Sequence, residues 1–160
     1  MAIEMHPIGV IHTPFKLLKG MPIQPRGAED VKGEIEIFEP FRAGLRDLDG
    51  FSHVQLLYLF HESRGFKMEV VPFMDTEVRG LFATRAPRRP NPIGLSTVRL
   101  MNVHETGFDV QDIDILDGTP LLDIKPYVPA FDEAQQVSTG WLESVAHTVK
   151  RRRSDGRFTD

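Results

Sequence analysis

The clearest signal in the chain is strict alternation over residues 31–38. Val31, Ile35 and Ile37 fall on one side, and Lys32, Glu34 and Glu36 on the other. A period of two is that of a half-buried antiparallel strand. Residues 51–61 are richer in apolar side chains. Val54, Leu56, Tyr58 and Phe60 share one face, and Phe51, His53, Gln55, Leu57, Leu59 and His61 the other. Both faces are largely apolar, which predicts a strand covered on both sides, the second cover being a helix or a partner subunit. Residues 5–13 read as a first strand stopped by Pro14, and residues 95–104 and 108–116 as a pair joined near Gly107. Apolar parity switches between Val110 and Ile113, which predicts a bulge near Gln111 and Asp112. Residues 121–127 form another extended segment after a strong turn signal, Asp117-Gly118-Thr119-Pro120. Residues 16–30 should be irregular. Helical spacing is confined to residues 40–48, through Phe41, Leu45 and Leu48, and to residues 141–150. This pattern predicts an all-β or β-rich α+β fold, a barrel with short helices. Residues 1–140 would form the barrel domain, and residues 141–160 a short helix and a basic tail.

One stretch fits neither period. Residues 82–96, FATRAPRRPNPIGLS, hold Arg85, Arg88 and Arg89 among Pro87, Pro90 and Pro92. Proline fixes φ, removes a donor and pushes the preceding residue out of the helical region. The stretch is therefore a stiff extended loop bearing guanidinium groups, suited to phosphates, carboxylates or nucleotides.

Composition narrows the choice. At 160 residues, with 41% hydrophobic and 26% charged residues, the chain has the makeup of one soluble globular domain. The absence of cysteine excludes a disulfide framework, a thiolate zinc site and a cysteine nucleophile, and fits a cytoplasmic protein. No stretch has the length or apolarity of a membrane span, and the first residues lack a signal-peptide pattern. The net charge of −4 argues against indiscriminate nucleic-acid coating, yet residues 150–160 carry five basic and two acidic groups. The rest of the chain is thus at −7, from 14 basic and 21 acidic residues.

Motif spacing removes further classes. There is no G-x-G-x-x-G, no P-loop and no G-x-S-x-G, so any nucleotide-like ligand is held outside the Rossmann mode. The histidines do not form a metal motif. His53 and His61, eight residues apart on one strand, would be on the order of 26 Å apart. Three polar segments remain, residues 21–28, 82–96 and 117–129, and in a small barrel such segments tend to gather at one mouth. Asp117 suits a ribose diol or an amine, while Lys125 or Tyr127 suits a proton or an anion. His61-Glu62, ending the most apolar strand, would form an edge of the site.

These segments, with GFSHVQLLYLFH at residues 50–61 and IGVIHTPF from Ile8, resemble the TsaA-like, TrmO-type tRNA methyltransferase family, in its short form. The resemblance runs to Pro129. It implies a single-sheet β-barrel rather than a Rossmann fold, a homodimer, and the cofactor S-adenosyl-L-methionine. It also implies N6-methylation of N6-threonylcarbamoyladenosine at position 37 of tRNA. Neither a metal nor a membrane is expected, since the chain lacks cysteine, clustered histidines and an apolar span. The alternative is a non-catalytic barrel that binds adenosylmethionine or RNA. On the family pattern Gln24, Pro25, Arg26, His61, Glu62, Arg85, Leu95, Asp117, Gly118, Thr119 and Pro120 contact the cofactor. Arg88, Arg89 and Asn91 would meet the substrate, Arg88 or Arg89 pairing with its threonyl carboxylate. Because the acceptor nitrogen's lone pair is delocalised, a base would help, and Asp117, Lys125 and Tyr127 are the catalytic candidates.

Overall fold

Eight strands form among the described residues, 1–22, 27–143 and 145, of the computed structural model. Six close a barrel: β1 (Gly9–His12), β2 (Lys32–Ile37), β3 (His53–Leu59), β6 (Ile93–His104), β7 (Gly107–Gln111) and β8 (Thr119–Pro126). Their order around it is β1-β2-β7-β6-β3-β8, every neighbouring pair antiparallel, with β8 returning to β1. Closure leaves no free sheet edge, which is how a small β domain avoids unwanted pairing. β4 (Glu69–Val70) and β5 (Arg79–Gly80) form a separate hairpin, and α1 (Pro129–Asp132) is a single turn.

Alternation decides what fills the barrel. Ile35 and Ile37 from β2, Val54, Leu56 and Tyr58 from β3, Val98 from β6, Phe108 and Val110 from β7 and Leu121 from β8 point inward and are buried. Residues between them face out, as Lys32, Glu34 and Glu36 do on β2. The outer face of β3, His53, Gln55, Leu57 and Leu59, is half-buried, so its apolar side chains are covered less than expected.

Three expectations need correction. The first strand is only Gly9–His12, because residues 1–7 run exposed beyond the barrel. The segment expected as a helix forms two 3₁₀ pieces, Glu39–Leu45 and Leu48–Gly50, separated at Asp47, which has φ +65°. Leu45 and Leu48 still seal one end of the barrel, whereas Phe41 stays 43% exposed. The bulge falls on the other strand, where the β6–β7 register shifts between Leu100 and Asn102. The phase change after Val110 has a different cause. β7 stops at Gln111, and Asp112 at φ +65° turns the chain so that Ile113, Asp114 and Ile115 are all buried. Most of the expected C-terminal helix lies outside the described residues. Gly140–Leu142 is a 3₁₀ turn.

Candidate functional site

The end of the barrel opposite Leu45 and Leu48 collects most of the polar motifs. The β3 register, Leu59 with Ile93 and Tyr58 with Leu121, brings the end of β3, the start of β6 and the start of β8 to one rim. The proline loop is tied there: the Phe60 amide donates to Pro92 O (2.8 Å) and the Ser63 hydroxyl to Pro87 O (3.2 Å). The turn at Asp117-Gly118 is stitched to β1 and its continuation. Gly118 N donates to Ile11 O (2.9 Å) and Asp117 N to Phe15 O (2.8 Å), with Gly118 at φ +77°.

Asp117 is the most constrained carboxylate of this rim. Oδ1 accepts from the Thr13 amide (2.9 Å), Oδ2 from Lys16 Nζ (2.6 Å), and His12 Nδ1 lies 3.9 Å away. The Lys16 ammonium, then the Thr13 amide, hold its pKa below the ordinary carboxylate value. Asp117 is therefore a fixed negative charge and a weak base at neutral pH. His61 stands beside it through Thr119. The Thr119 hydroxyl donates to Leu116 O (2.6 Å), so it must accept from His61 Nδ1 (3.3 Å). That assigns the proton to Nδ1 in the neutral ring and leaves Nε2 as the acceptor, 3.7 Å from Glu62 Oε1.

Behind the rim a polar chain enters the barrel. Ser96 Oγ donates to the buried Asp114 carboxylate (2.7 Å), so the Tyr58 hydroxyl donates in turn to Ser96 Oγ (2.9 Å). Burial pushes the Asp114 carboxyl up to about 7, opposed by the Ser96 bond and the charge of Arg85. Burial, then Asp114, also raises the Tyr58 phenol. Gly94 makes room for this chain, because a Cβ there would lie 2.2 Å from the Tyr58 ring. Sequence reading missed Ser96 and Asp114. Their signal was polar residues in inward or apolar phase: Ser96 between Gly94 and Val98, Asp114 between Ile113 and Ile115.

The arginine loop is rigid for a second reason besides proline. Arg89 Nη1 donates to the carbonyls of Thr84 (3.0 Å), Ala86 (3.2 Å) and Leu81 (3.5 Å), so Arg89 templates the loop it belongs to. Leu81 and Ala86 are buried against Val70 and Phe73, a small second core under the loop. Arg88 is half-buried, and Arg85 and Asn91 are exposed on the same loop. Leu95, 48% exposed, faces outward from β6 opposite Leu57.

The structure divides the expected residues. His61, Glu62, Arg85, Asp117, Gly118, Thr119 and Pro120 belong to one rim, with Leu95 on its outer wall. Lys125 and Tyr127 do not join them. β8 carries Lys125 six residues beyond Thr119, about 20 Å at the usual strand rise. There Lys125 pairs with Asp123 (2.8 Å), and Tyr127 packs edge-on against His53 (6.3 Å) at the far end. That far end also has a groove of about 350 Å³ lined by Ile8, Phe41, Leu45, Phe51 and Ile124. Gln24, Pro25 and Arg26 lie outside the described residues. Among the described residues no group of three or more His, Asp or Glu could hold a metal ion, and no helix is long and apolar enough to cross a membrane.

The rim sets Glu62 beside the His61 imidazole, and Asp117, paired with Lys16, two residues before Thr119, with the guanidinium loop adjacent. A ligand with a cationic centre and an anionic partner would find complementary charge here. Residues 10–133 match the tRNA-methyltransferase O N-terminal domain family. A probable S-adenosyl-L-methionine-binding protein of Pyrococcus abyssi is 52% identical over 95% of this chain and 83% of its own length. The tRNA (adenine(37)-N6)-methyltransferase of Escherichia coli is 35% identical over 90% of this chain and 66% of its own. The crystal structure of TrmO from Pseudomonas aeruginosa superposes with a TM-score of 0.74 at 39% identity, over 88% of this chain. The match spans 63% of that solved chain.

Proposed function

Because the chain belongs to the tRNA-methyltransferase O N-terminal domain family, whose members are S-adenosylmethionine-dependent methyltransferases, we propose that it methylates N6 of N6-threonylcarbamoyladenosine at position 37 of tRNA. The observation that carries this reading is the single rim on which the carboxylates, His61 and the arginine loop converge. S-adenosylmethionine supplies, when bound, an electrophilic methyl group on a positively charged sulfur. The residues present fit it. Asp117 is held ionised by Lys16 and Thr13, which also offset its charge, so Glu62 is the carboxylate that would face the sulfonium. Arg85, Leu95, Gly118, Thr119 and Pro120, with Gln24, Pro25 and Arg26, would complete the contacts.

Methyl transfer is an in-line displacement, so most of the rate comes from holding the acceptor nitrogen aligned. The guanidinium of Arg88 would pair with the threonyl carboxylate, with Arg89 and Asn91 shaping the loop around it. The N6 proton needs an acceptor. Asp117, already donated to by Lys16 and Thr13, is a poor one, whereas His61 Nε2, 3.7 Å from Glu62, is the acceptor when Nδ1 donates to Thr119. We therefore assign His61 to the proton, Glu62 to the sulfonium charge and Asp117 to holding the turn at the rim. Lys125 and Tyr127, at the opposite end of β8, fall outside this assignment. A homodimer would cover the outer face of β3, where Leu57 and Leu59 meet Leu95 and Ile93. A tRNA substrate fits a reaction in the cytoplasm.

The test is incubation with labelled S-adenosylmethionine and tRNA that carries or lacks threonylcarbamoyladenosine, followed by nucleoside analysis. Label in the N6-methylated modified nucleoside, in the presence of a chelator, is the expected result. Tight cofactor binding with no methyl transfer to either tRNA would make the chain a binding module instead.

A further inference from the structure

The arginine loop presents one feature that the proposed reaction does not use. Phe82 is 70% exposed, although it sits on a 3₁₀ turn, Leu81–Ala83, anchored by the buried Leu81. The turn cannot roll Phe82 inward without withdrawing Leu81 from the small core it shares with Ala86, Val70 and Phe73. The Arg89 guanidinium lies 5.8 Å from the Phe82 ring centroid, and its Nη1 is held by the carbonyls of Leu81, Thr84 and Ala86. A second pair flanks it: the Trp141 indole donates to Ala83 O (2.8 Å), with the Arg79 guanidinium 5.4 Å from the Trp141 ring. Arg79 is in turn held by Asp75 (2.6 Å). Phe82 is thus an exposed ring fixed in place, on a stiff loop that carries three guanidinium groups, Arg85, Arg88 and Arg89, while Arg79 is paired with Asp75 and Glu77.

We propose that Phe82 is a stacking platform for an unpaired base of the substrate RNA, next to the nucleotide whose base enters the rim. This deepens the reading of the site as acting on tRNA and rests on it. A base has a flat π-face that an aromatic ring accepts whatever its identity, and sequence reading of RNA is concentrated in unpaired loops whose bases can be splayed onto such rings. The surroundings favour RNA over a protein surface. The loop that bears Phe82 carries guanidinium groups, which supply charge for the phosphates that accompany a splayed base. Pre-ordering matters because a platform already fixed by Leu81 and Arg89 loses little entropy when a base lands on it.

The experiment uses the full chain and an anticodon stem-loop RNA carrying threonylcarbamoyladenosine, with 2-aminopurine placed in turn at each unpaired loop position. Stacking quenches 2-aminopurine fluorescence. Wild type and Phe82→Trp should quench at a position adjoining the modified nucleotide. Phe82→Ala should lose that quenching and bind the stem-loop about ten- to a hundredfold more weakly. A thermal midpoint equal to wild type establishes that the variant is folded. Equal affinity and equal quenching in wild type and Phe82→Ala would overturn the platform while leaving the methyltransferase reading intact. Unchanged RNA affinity with a shifted subunit association in light scattering would assign Phe82 to a contact between copies and overturn it as well. A wild-type chain that binds S-adenosylmethionine but no stem-loop would overturn both the platform and the proposed substrate.

Discussion

The two ends of the barrel are built on opposite principles. At one end the 3₁₀ turns lay Leu45 and Leu48 over the interior, and the polar groups nearby, Lys125, Asp123 and Tyr127, pair with one another or with near neighbours on the surface. At the other, the chain from Asp112 to Asp117 folds across the opening and brings a carboxylate, Asp114, into it. One end is sealed by apolar contact and asks nothing of its polar residues. The other satisfies its buried polar groups through named partners, and each of those bonds orients something at the rim. Chemistry belongs at the second end, since groups fixed by hydrogen bonds keep their geometry without a ligand.

The largest contrast should come from substituting one residue at each end. His61→Ala is expected to lower methyl transfer about a hundred- to ten-thousandfold, the range of a missing proton acceptor. Lys125→Ala and Tyr127→Phe should stay within about threefold, as surface substitutions do. Rates at saturating cofactor and tRNA decide it, and a collapse in Tyr127→Phe would move the chemistry to the other end.

A second contrast concerns packing. Gly94→Ala drives a methyl into the Tyr58 ring, whereas Gly44 has nothing within 4 Å of a Cβ. Overpacking of this kind costs about 1–3 kcal/mol. Urea unfolding should show that loss in Gly94→Ala, and no comparable loss in Gly44→Ala.

The buried carboxylate sharpens the comparison through pH. The folded-state pKa of Asp114, about 7, is raised from an ordinary 3.8, so the folded chain holds the proton over that interval and the unfolded chain releases it. Asp114 therefore lowers stability as pH rises from about 4 to about 7, by at most about 1.4 kcal/mol per pH unit. The difference in unfolding free energy between wild type and Asp114→Asn should fall with that slope and level off above pH 7. The lowered pKa of Asp117 works the other way: its contribution is present above the ordinary carboxylate value and lost at lower pH, equally in both proteins. A flat difference across the interval would place Asp114 in contact with water.

The smallest effect expected is on salt dependence. Removing the residues after Thr148 deletes the basic stretch Lys150 to Arg153 and Arg157. The slope of log affinity for tRNA against log salt should shrink by about 0.7 to 0.9 for each phosphate that the tail no longer neutralises, with cofactor affinity unchanged. An unaltered slope would remove the tail from the RNA interface.

Much of this is legible in the sequence, for reasons that can be named. β2 shows in the pattern because a period of two survives wherever one face packs and the other does not, and β3 shows by the density of apolar residues on both its faces. The rim loops show because proline, glycine and arginine at such density have few other uses. The bulge is misplaced by parity because a left-handed residue, Asp112, shifts apolar phase as an inserted residue does, and parity alone does not distinguish them. The 40–48 segment has helical spacing, but its break at Asp47 is a matter of φ that spacing does not carry. Asp117, Lys125 and Tyr127 are close in sequence, yet a strand separates residues faster than any other element, so closeness along β8 becomes distance in space. Ser96 and Asp114 escape because a buried polar pair is visible only once both partners are seen together.

The pairing of β1 with β8 also bears on how the chain is made. Gly9 meets Leu121 and Ile11 meets Thr119, so the barrel is closed by strands roughly 110 residues apart. At ordinary synthesis rates of about 5–20 residues per second, that interval is on the order of 6–20 s. Throughout it one edge of β1 is already outside the ribosome with no strand to pair with. Closure is then a late event between segments distant in sequence, the slow kind. The brevity of β1, four residues ending two positions before Pro14, limits the exposed edge that a nascent chain offers to its neighbours on a polysome.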